Sequence, residues 1–488
     1  MKLLLALALT LSPAPAPELT PAAIDAYLEQ AMESTGVPGL SVVVTHGGKV
    51  VHAAGYGHDS QGRPMTADTP MRVASVSKSF TAMAVMTLVD QGKIKLDEPV
   101  AAQLPEFEMA DPRAARITVR HLLNQTSGLS DRTVDIASTE EATSLADYTA
   151  RLAGSRLAAE PGTRYEYCNV NYDLAGRLVE VASGRRFGDY LRDRVFGPLG
   201  MKSSAISDKV VPVADGYNSL FGAWLPRPEL AGFHDDSGAG GVITTAADMG
   251  KWLVTQAGDG SPLVKRESLA AMHQPSKLRP YGMGWGIEDG GQLVHSGNLF
   301  TYNAVEAVSP KTGYGFAVMT NNATLYDPTY DIMLGLTAMS EGRTPEGPGS
   351  ERQLFEAVLG AFALVAAGLG ILGVARARRW AARRSGRPWW RIGLRLLPAL
   401  VPVAVLAGYP DLVSVLVNGR TVTWAQLTYF PAPLSVAVLV AALAGLAMTV
   451  ARICVLCKLT RYTNKSGGSH AHRRDRRPAR LARLAGRH

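Results

Sequence analysis

The sequence predicts an α+β domain, one sheet assembled from both of its ends around a helical insertion, followed by about three transmembrane helices. Three observations carry this. Runs of β-type composition at residues 39–45 and 49–55 find their counterparts only near the end of the domain, at 292–295, 301–308 and 314–320. Residues 93–290 carry mainly helical patterns broken by glycine and proline. Beyond residue 342, a Gly/Pro-rich stretch gives way to apolar runs of membrane-spanning length.

Taken in order, residues 1–17 read as a signal peptide. Lys2 precedes an apolar run at 3–11 that is too short to cross a bilayer, and alanines and prolines follow it. A first helix is expected over 21–34. The next two runs are joined by Gly47-Gly48, a hairpin signal. Residues 80–89 are apolar nearly all round and stop before Gly92, so the helix that carries them, 76–91, is expected at the centre of the domain. Helices over 119–123, 145–152, 171–182, 246–255 and 330–340 complete a soluble domain spanning residues 18–341, closed by a linker at 342–353.

The transmembrane region covers 354–450, with spans at 354–375, 392–409 and 430–450; the second holds Pro398 and Pro402, with Arg395 near one end. Charge divides sharply here. From Leu354 onward lie 20 of the chain's 50 basic residues but 3 of its 42 acidic ones. The domain is therefore acidic and the membrane part strongly basic. Eight arginines fill the first connection, from Arg376 to Arg395, eleven Lys/Arg follow residue 450, and the second connection, 410–429, has Arg420 alone. The positive-inside rule then places the first connection and a basic tail at 451–488 in the cytoplasm and the domain outside a multi-pass cell-membrane protein. Contact with anionic lipid accounts for the tail, and no nucleic-acid partner is expected. Nothing in the sequence fixes an oligomeric state.

Only Cys168 lies in the domain, so no disulfide forms within it. Cys454 and Cys457 lack the second pair that a zinc site needs, and neither metal nor cofactor is expected.

Three clusters carry chemistry. In Ser75-x-x-Lys78, at the mouth of the central helix, the spacing sets the ammonium beside the hydroxyl on one helical face. A lysine whose pKa is lowered by burial can take the serine proton, and helix-terminal N–H groups favour an oxyanion. The motif alone is common, with roughly one or two matches expected by chance in a chain of this length. Tyr167-x-Asn169, just before a helix, places a phenol able to hold or take the serine proton two residues from an amide able to orient the lysine. His295-x-Gly297, between two strand patterns, offers an imidazole able to donate to a substrate carboxylate or leaving group, and a glycine that lets backbone approach the substrate. Lys311-Thr312-Gly313 follows Pro310 and reads as a hairpin turn.

With these clusters in this order, over roughly residues 20–340, the chain resembles the serine β-lactamase-like hydrolases, close to class C β-lactamases and D-alanyl-D-alanine carboxypeptidases. Residues 121–129 and 240–248 look like the family as well. The resemblance implies an antiparallel sheet flanked by helices plus a helical subdomain. It also implies that Ser75 is acylated, that Lys78 and Tyr167 share the general-base role, and that Asn169 binds the substrate amide. The backbone N–H groups of Ser75 and of Asn298, after Gly297, would form the oxyanion hole. His295 stands where true class C β-lactamases carry lysine, which directs the reading toward carboxypeptidases, esterases and peptidases. The expectation is a membrane-anchored serine hydrolase acting on a small-molecule or peptide substrate. A penicillin-binding sensor that is acylated but turns over slowly is the alternative.

Overall fold

A computed structural model describes residues 19–417 and 420–471. The predicted signal peptide, and the end of the predicted tail from 472, lie outside the described residues. The chain divides into two compact units. One holds the residues up to Phe355 together with Val413–Ala432; the other holds Glu356–Leu412 and the chain from Pro433.

In the first unit, helix α1 (Pro21–Thr35) starts at Thr20, whose side chain accepts from the Ala23 N–H with proline in the first turn, and ends at Gly36 in the left-handed conformation. Strands β1 (Gly39–His46) and β2 (Lys49–Gly57) follow, joined through Gly47 and Gly48, whose φ angles of 55° and 73° suit the tight hairpin. Next comes the short β3 (Met71–Arg72), then a 3-10 turn, Ala74–Val76, and helix α2 (Ser77–Asp90). The later strands are β4 (Gly216–Leu220), β5 (Ala223–Arg227), β6 (Ile243–Thr244), β7 (Gly286–Ile287), β8 (Leu293–Asn298), β9 (Asn303–Val308), β10 (Tyr314–Thr320) and β11 (Asn322–Ala323).

The main sheet has the order β2-β1-β10-β9-β8-β7, antiparallel throughout. The two ends of the domain thus meet at its centre, where β1 pairs with β10 from Leu40 opposite Thr320 to His46 opposite Tyr314. Successive side chains of a strand face opposite ways, so a strand buried on both faces is apolar without a break. Val42 and Val44 join the α1 side with Ile24, Leu28 and Leu336, whereas Val43 faces the larger core with Phe80 and Trp252. Helix α2 lies in that larger core, buried from Ser77 to Leu88 as its composition predicts.

One part of the expectation needs correction. Residues 93–290 are not only helices and turns: β4 and β5 form a hairpin there, and β4 also pairs in parallel with β11. The strands have five residues each, and the turn between them places Phe221 at φ 49° before Gly222 at 89°, so neither periodicity nor a familiar turn pair announces it.

Glu306 of β9 is fully buried and accepts from Trp252 Nε1 at 2.9 Å. Burial pushes its carboxyl up to about 8, against its contacts with Ser79 and Trp252. Folded chains then hold a proton that unfolded chains lose above the ordinary carboxylate range. Stability from this group is fully present below about 4.5 and is lost as pH rises toward about 8. Glu306→Gln keeps an acceptor for Trp252, and should reduce that decline by a few kcal/mol at most. Urea unfolding of both proteins from pH 5 to 8 measures it; parallel curves would show that Glu306 does not titrate this way.

Among the described residues, three helices are long and apolar enough to cross a membrane: Glu351–Ala375, Trp389–Ala407 and Ala432–Arg461. Pro398 and Pro402 lie inside the second. Within the second unit, Gly445 packs so closely that a Cβ there would come within 2.0 Å of the Ala399 carbonyl, the small-residue contact by which apolar helices associate. At the domain boundary, Arg352 donates to Ser219 Oγ at 2.9 Å and to the Thr35 carbonyl at 3.1 Å.

Candidate active site

Ser75 occupies the turn between β3 and α2, at the N-terminal end of a buried helix whose backbone N–H groups favour negative charge. The turn is held from outside. Met71 and Arg72 pair with Thr244 and Ile243, the Val73 N–H donates to the Val242 carbonyl at 3.1 Å, and the Val242 N–H donates to Ser77 Oγ at 2.9 Å. Ala74 has φ 49°, a left-handed conformation that costs energy in a residue with a Cβ and that this bracing enforces.

Lys78 is fully buried, and its Nζ lies 2.9 Å from Ser75 Oγ, 2.9 Å from Asn169 Oδ1 and 2.7 Å from the Ala239 carbonyl. Burial brings its pKa down to about 7; Asp173 opposes the shift and Arg420 adds to it. The three oxygens suit an ammonium that donates to all of them, and equally a neutral amine that donates two N–H bonds and turns its lone pair to the Ser75 hydroxyl. Asn169 Oδ1 and the Ala239 carbonyl can only accept, while the Ser75 hydroxyl can donate.

Asp173 completes this shell. It lies on the helix Val170–Ser183 and accepts from Ser237 Oγ at 2.8 Å and from the Ala239 N–H at 3.2 Å, fixing the peptide that meets Lys78. Asn169 sits just before the same helix. Gln125 steadies that entrance by accepting from the Cys168 N–H at 3.0 Å and from Asn171 Nδ2 at 2.6 Å, which explains the relevance of residues 121–129.

Tyr167 sets its ring 4.9 Å from Lys78 Nζ. It keeps 40% of its surface exposed, yet desolvation raises its phenol above the ordinary range, with the Ser75 hydroxyl opposing the shift. Lys78 and Tyr167 are thus driven in opposite directions, toward a neutral amine and a protonated phenol.

On the other side, β8 presses on the turn. A Cβ on Gly297 would meet the Val73 carbonyl at 2.2 Å and the Ser75 nitrogen at 2.9 Å, so no larger residue fits without moving the nucleophile. Asn298 Nδ2 donates to Asn303 Oδ1 at 2.8 Å and Asp327 Oδ2 at 3.1 Å, which engages its side chain away from the turn. β7 pairs with β8 only at Val294 and Leu293, leaving the 295–298 edge without a strand on that side among the described residues.

His295 is buried, and burial first, then Lys78, brings its pKa down to about 3. Its Nδ1 lies 2.8 Å from the Ser296 carbonyl, which can only accept, so Nδ1 carries the proton and Nε2 accepts from the Tyr281 hydroxyl at 3.0 Å. No imidazole N–H is therefore aimed at a substrate in this geometry; the hydroxyl of Tyr281 stands beside it. Lys311 lies in the β9–β10 turn and pairs with Glu341 at 3.0 Å.

The beta-lactamase family model matches residues 24–335, most of the chain. The chain belongs to the beta-lactamase family of serine hydrolases. Protein flp of Staphylococcus aureus (strain MW2) is 30% identical over 323 residues, covering 62% of this chain and 64% of that protein, so the match spans less than two thirds of that relative. Penicillin-binding protein 4 of Amycolatopsis lactamdurans is 31% identical over 344 residues, covering 64% and 88%. Among solved structures, the octameric penicillin-binding protein homologue from Pyrococcus abyssi superposes with a TM-score of 0.57 at 26% identity, over 70% of this chain and 81% of that one.

In this beta-lactamase-family chain the structure gathers Ser75, Lys78, Tyr167, Asn169, Gly297 and His295 around one centre. Sequence reading did not assign Asp173, Ala239, Tyr281 or Asp131. Asp173 lies in the helix expected over 171–182 and Ala239 just before the stretch 240–248, but neither has a spacing that announces its partner. Asp173→Asn keeps both accepted hydrogen bonds while removing a negative charge that raises the Lys78 pKa. It is expected to move the acid limb of kcat/KM downward by up to about one pH unit. A pH–rate profile that is lower but unmoved would mean that Asp173 only supports the fold.

Proposed function

We propose that the chain is a membrane-anchored serine hydrolase that works through an acyl-enzyme on Ser75, with amide or ester substrates of the D-alanyl peptide class. The observation that supports this best is the buried Lys78 Nζ set 2.9 Å from Ser75 Oγ, within reach of the hydroxyl proton once the amine is neutral.

In this mechanism Lys78 takes the Ser75 proton as Oγ bonds to the carbonyl carbon. The carbonyl π electrons move to oxygen, and the N–H groups of Ser75 and Asn298 receive the oxyanion. Collapse expels the amine or alcohol, which takes a proton from Lys78 directly or through the Tyr167 hydroxyl. Water then attacks the ester, giving its proton to the same base, and Ser75 is released with the acid product. The unpaired 295–298 edge suits an extended peptide, whose backbone can hydrogen-bond to it. The basic first connection and tail favour a topology with the domain on the extracytoplasmic side, where such peptides occur.

The test uses the full chain in detergent micelles. Mass spectrometry should find a fluorescent penicillin or a fluorophosphonate on Ser75, and D-alanine should be released from D-alanyl peptides over many turnovers. A stable stoichiometric adduct without turnover would support the slow sensor instead, and no labelling by any probe would overturn both.

A further inference from the structure

We propose that Arg420, in the connection between the second and third apolar helices, is a specificity residue of the Ser75 site that binds a carboxylate of the substrate. This rests on the acyl-enzyme reading above.

Residues Val413–Ala432 fall within the same compact unit as the hydrolase domain, although in sequence they lie between two candidate membrane spans. Two attachments fix them. At Tyr429, the Arg227 guanidinium lies 3.4 Å from the ring centroid and donates to the Thr428 carbonyl at 2.6 Å. Phe300, two residues beyond β8, meets the same ring edge-on with centroids 5.9 Å apart. At the other attachment, Arg420 forms an ion pair with Asp131, its Nε 3.1 Å from Oδ2. Asp131 Oδ1 accepts from Cys168 Sγ at 3.1 Å, and Cys168 stands between Tyr167 and Asn169, the two residues that meet Lys78. The half-buried Asp131 side chain thus links this cation to the segment that lines the nucleophile.

Neither basic side chain beside the nucleophile supplies a fixed cation. Lys78 is neutral above about pH 7 and His295 throughout the physiological range, so neither offers a fixed charge to an anion. Arg420 is always charged, and its side chain is 44% exposed. Held through Nε by Asp131, it retains the forked nitrogens that match the two oxygens of a carboxylate. The substrate class that follows is an acyl donor with a free carboxylate close to the scissile bond, such as a peptide ending in an amino acid, in preference to its neutral ester or amide. Arg279 is the competing cation, lying 5.3 Å from the Tyr165 ring, whose centroid is 5.7 Å from that of Tyr281.

The test measures the second-order rate of Ser75 acylation in the full chain by intact mass, so deacylation does not enter. Two substrate pairs are used: a penicillin and its methyl ester, and a D-alanyl-D-alanine peptide and its C-terminal amide. The wild type should prefer the acid of each pair. Arg420→Ala should reduce that preference at least tenfold, Arg420→Lys should restore part of it, and Arg279→Ala should change it less than twofold. No acid preference in the wild type, an unchanged ratio in Arg420→Ala, or the loss appearing in Arg279→Ala would each overturn the assignment. Fluorophosphonate, which carries no carboxylate, separates the two claims. If neither it nor any acyl donor labels wild-type Ser75, the acyl-enzyme reading falls; if Ser75 is labelled while the ratios stay constant, only Arg420 falls.

Discussion

Ser75→Ala is expected to lower turnover of D-alanyl peptides or simple esters roughly ten-thousandfold or more and to remove covalent labelling altogether. The change deletes one oxygen from a turn held by β6, by Val242 and by the close approach of Gly297. Those braces do not involve the hydroxyl, so the fold and its unfolding midpoint should be little affected. A protein that stays folded and loses only chemistry is the signature of a nucleophile. One that retained labelling would place the acyl group elsewhere.

Lys78→Met is expected to slow acylation on the order of a thousandfold, within the range set by loss of a general base. Methionine fills most of the same buried volume without an amine, leaving Asn169 Oδ1 and the Ala239 carbonyl to find other donors, and some stability should be lost as well. Rate and stability separate in the pH profile. In the wild type, Lys78 with a pKa near 7 is protonated and unable to accept below that value, so kcat/KM should rise through about pH 7 and level off above it. His295, neutral above about pH 3, adds no limb in this range. The limb should vanish in Lys78→Met; a limb that persists near pH 7 would assign it to another group.

What could be read beforehand was what neighbours in sequence decide. The β1–β2 hairpin follows from Gly47-Gly48, the buried α2 from its unbroken apolar run, and the approach of Lys78 to Ser75 from a three-residue spacing. What escaped was set by contacts across the chain. Asp173 is brought to the Lys78 surroundings by its contact with the Ala239 N–H, 66 residues further on. His295 depends on Tyr281, which turned an expected donor toward substrate into an acceptor for a phenol. Arg420 counted in the sequence only toward the charge balance of a short connection, because nothing local could show its pairing with Asp131. Glu306 lies in the strand run expected over 301–308, and nothing local showed it to be a buried acid that pairs with Trp252. Local patterns thus located the nucleophile, while the groups that tune its base are tertiary features.

The central claim is that a neutral Lys78 activates Ser75, and the acylation rate of Ser75 as a function of pH addresses it most directly. Full-length protein is mixed with fluorescent penicillin from pH 5.5 to 9, and the adduct on the peptide containing Ser75 is quantified at early times. The expected result is a single adduct on Ser75 whose rate of formation climbs through about pH 7 and flattens above it, with the limb absent in Lys78→Met. An adduct that forms at a pH-independent rate, or equally fast without the lysine, would contradict it.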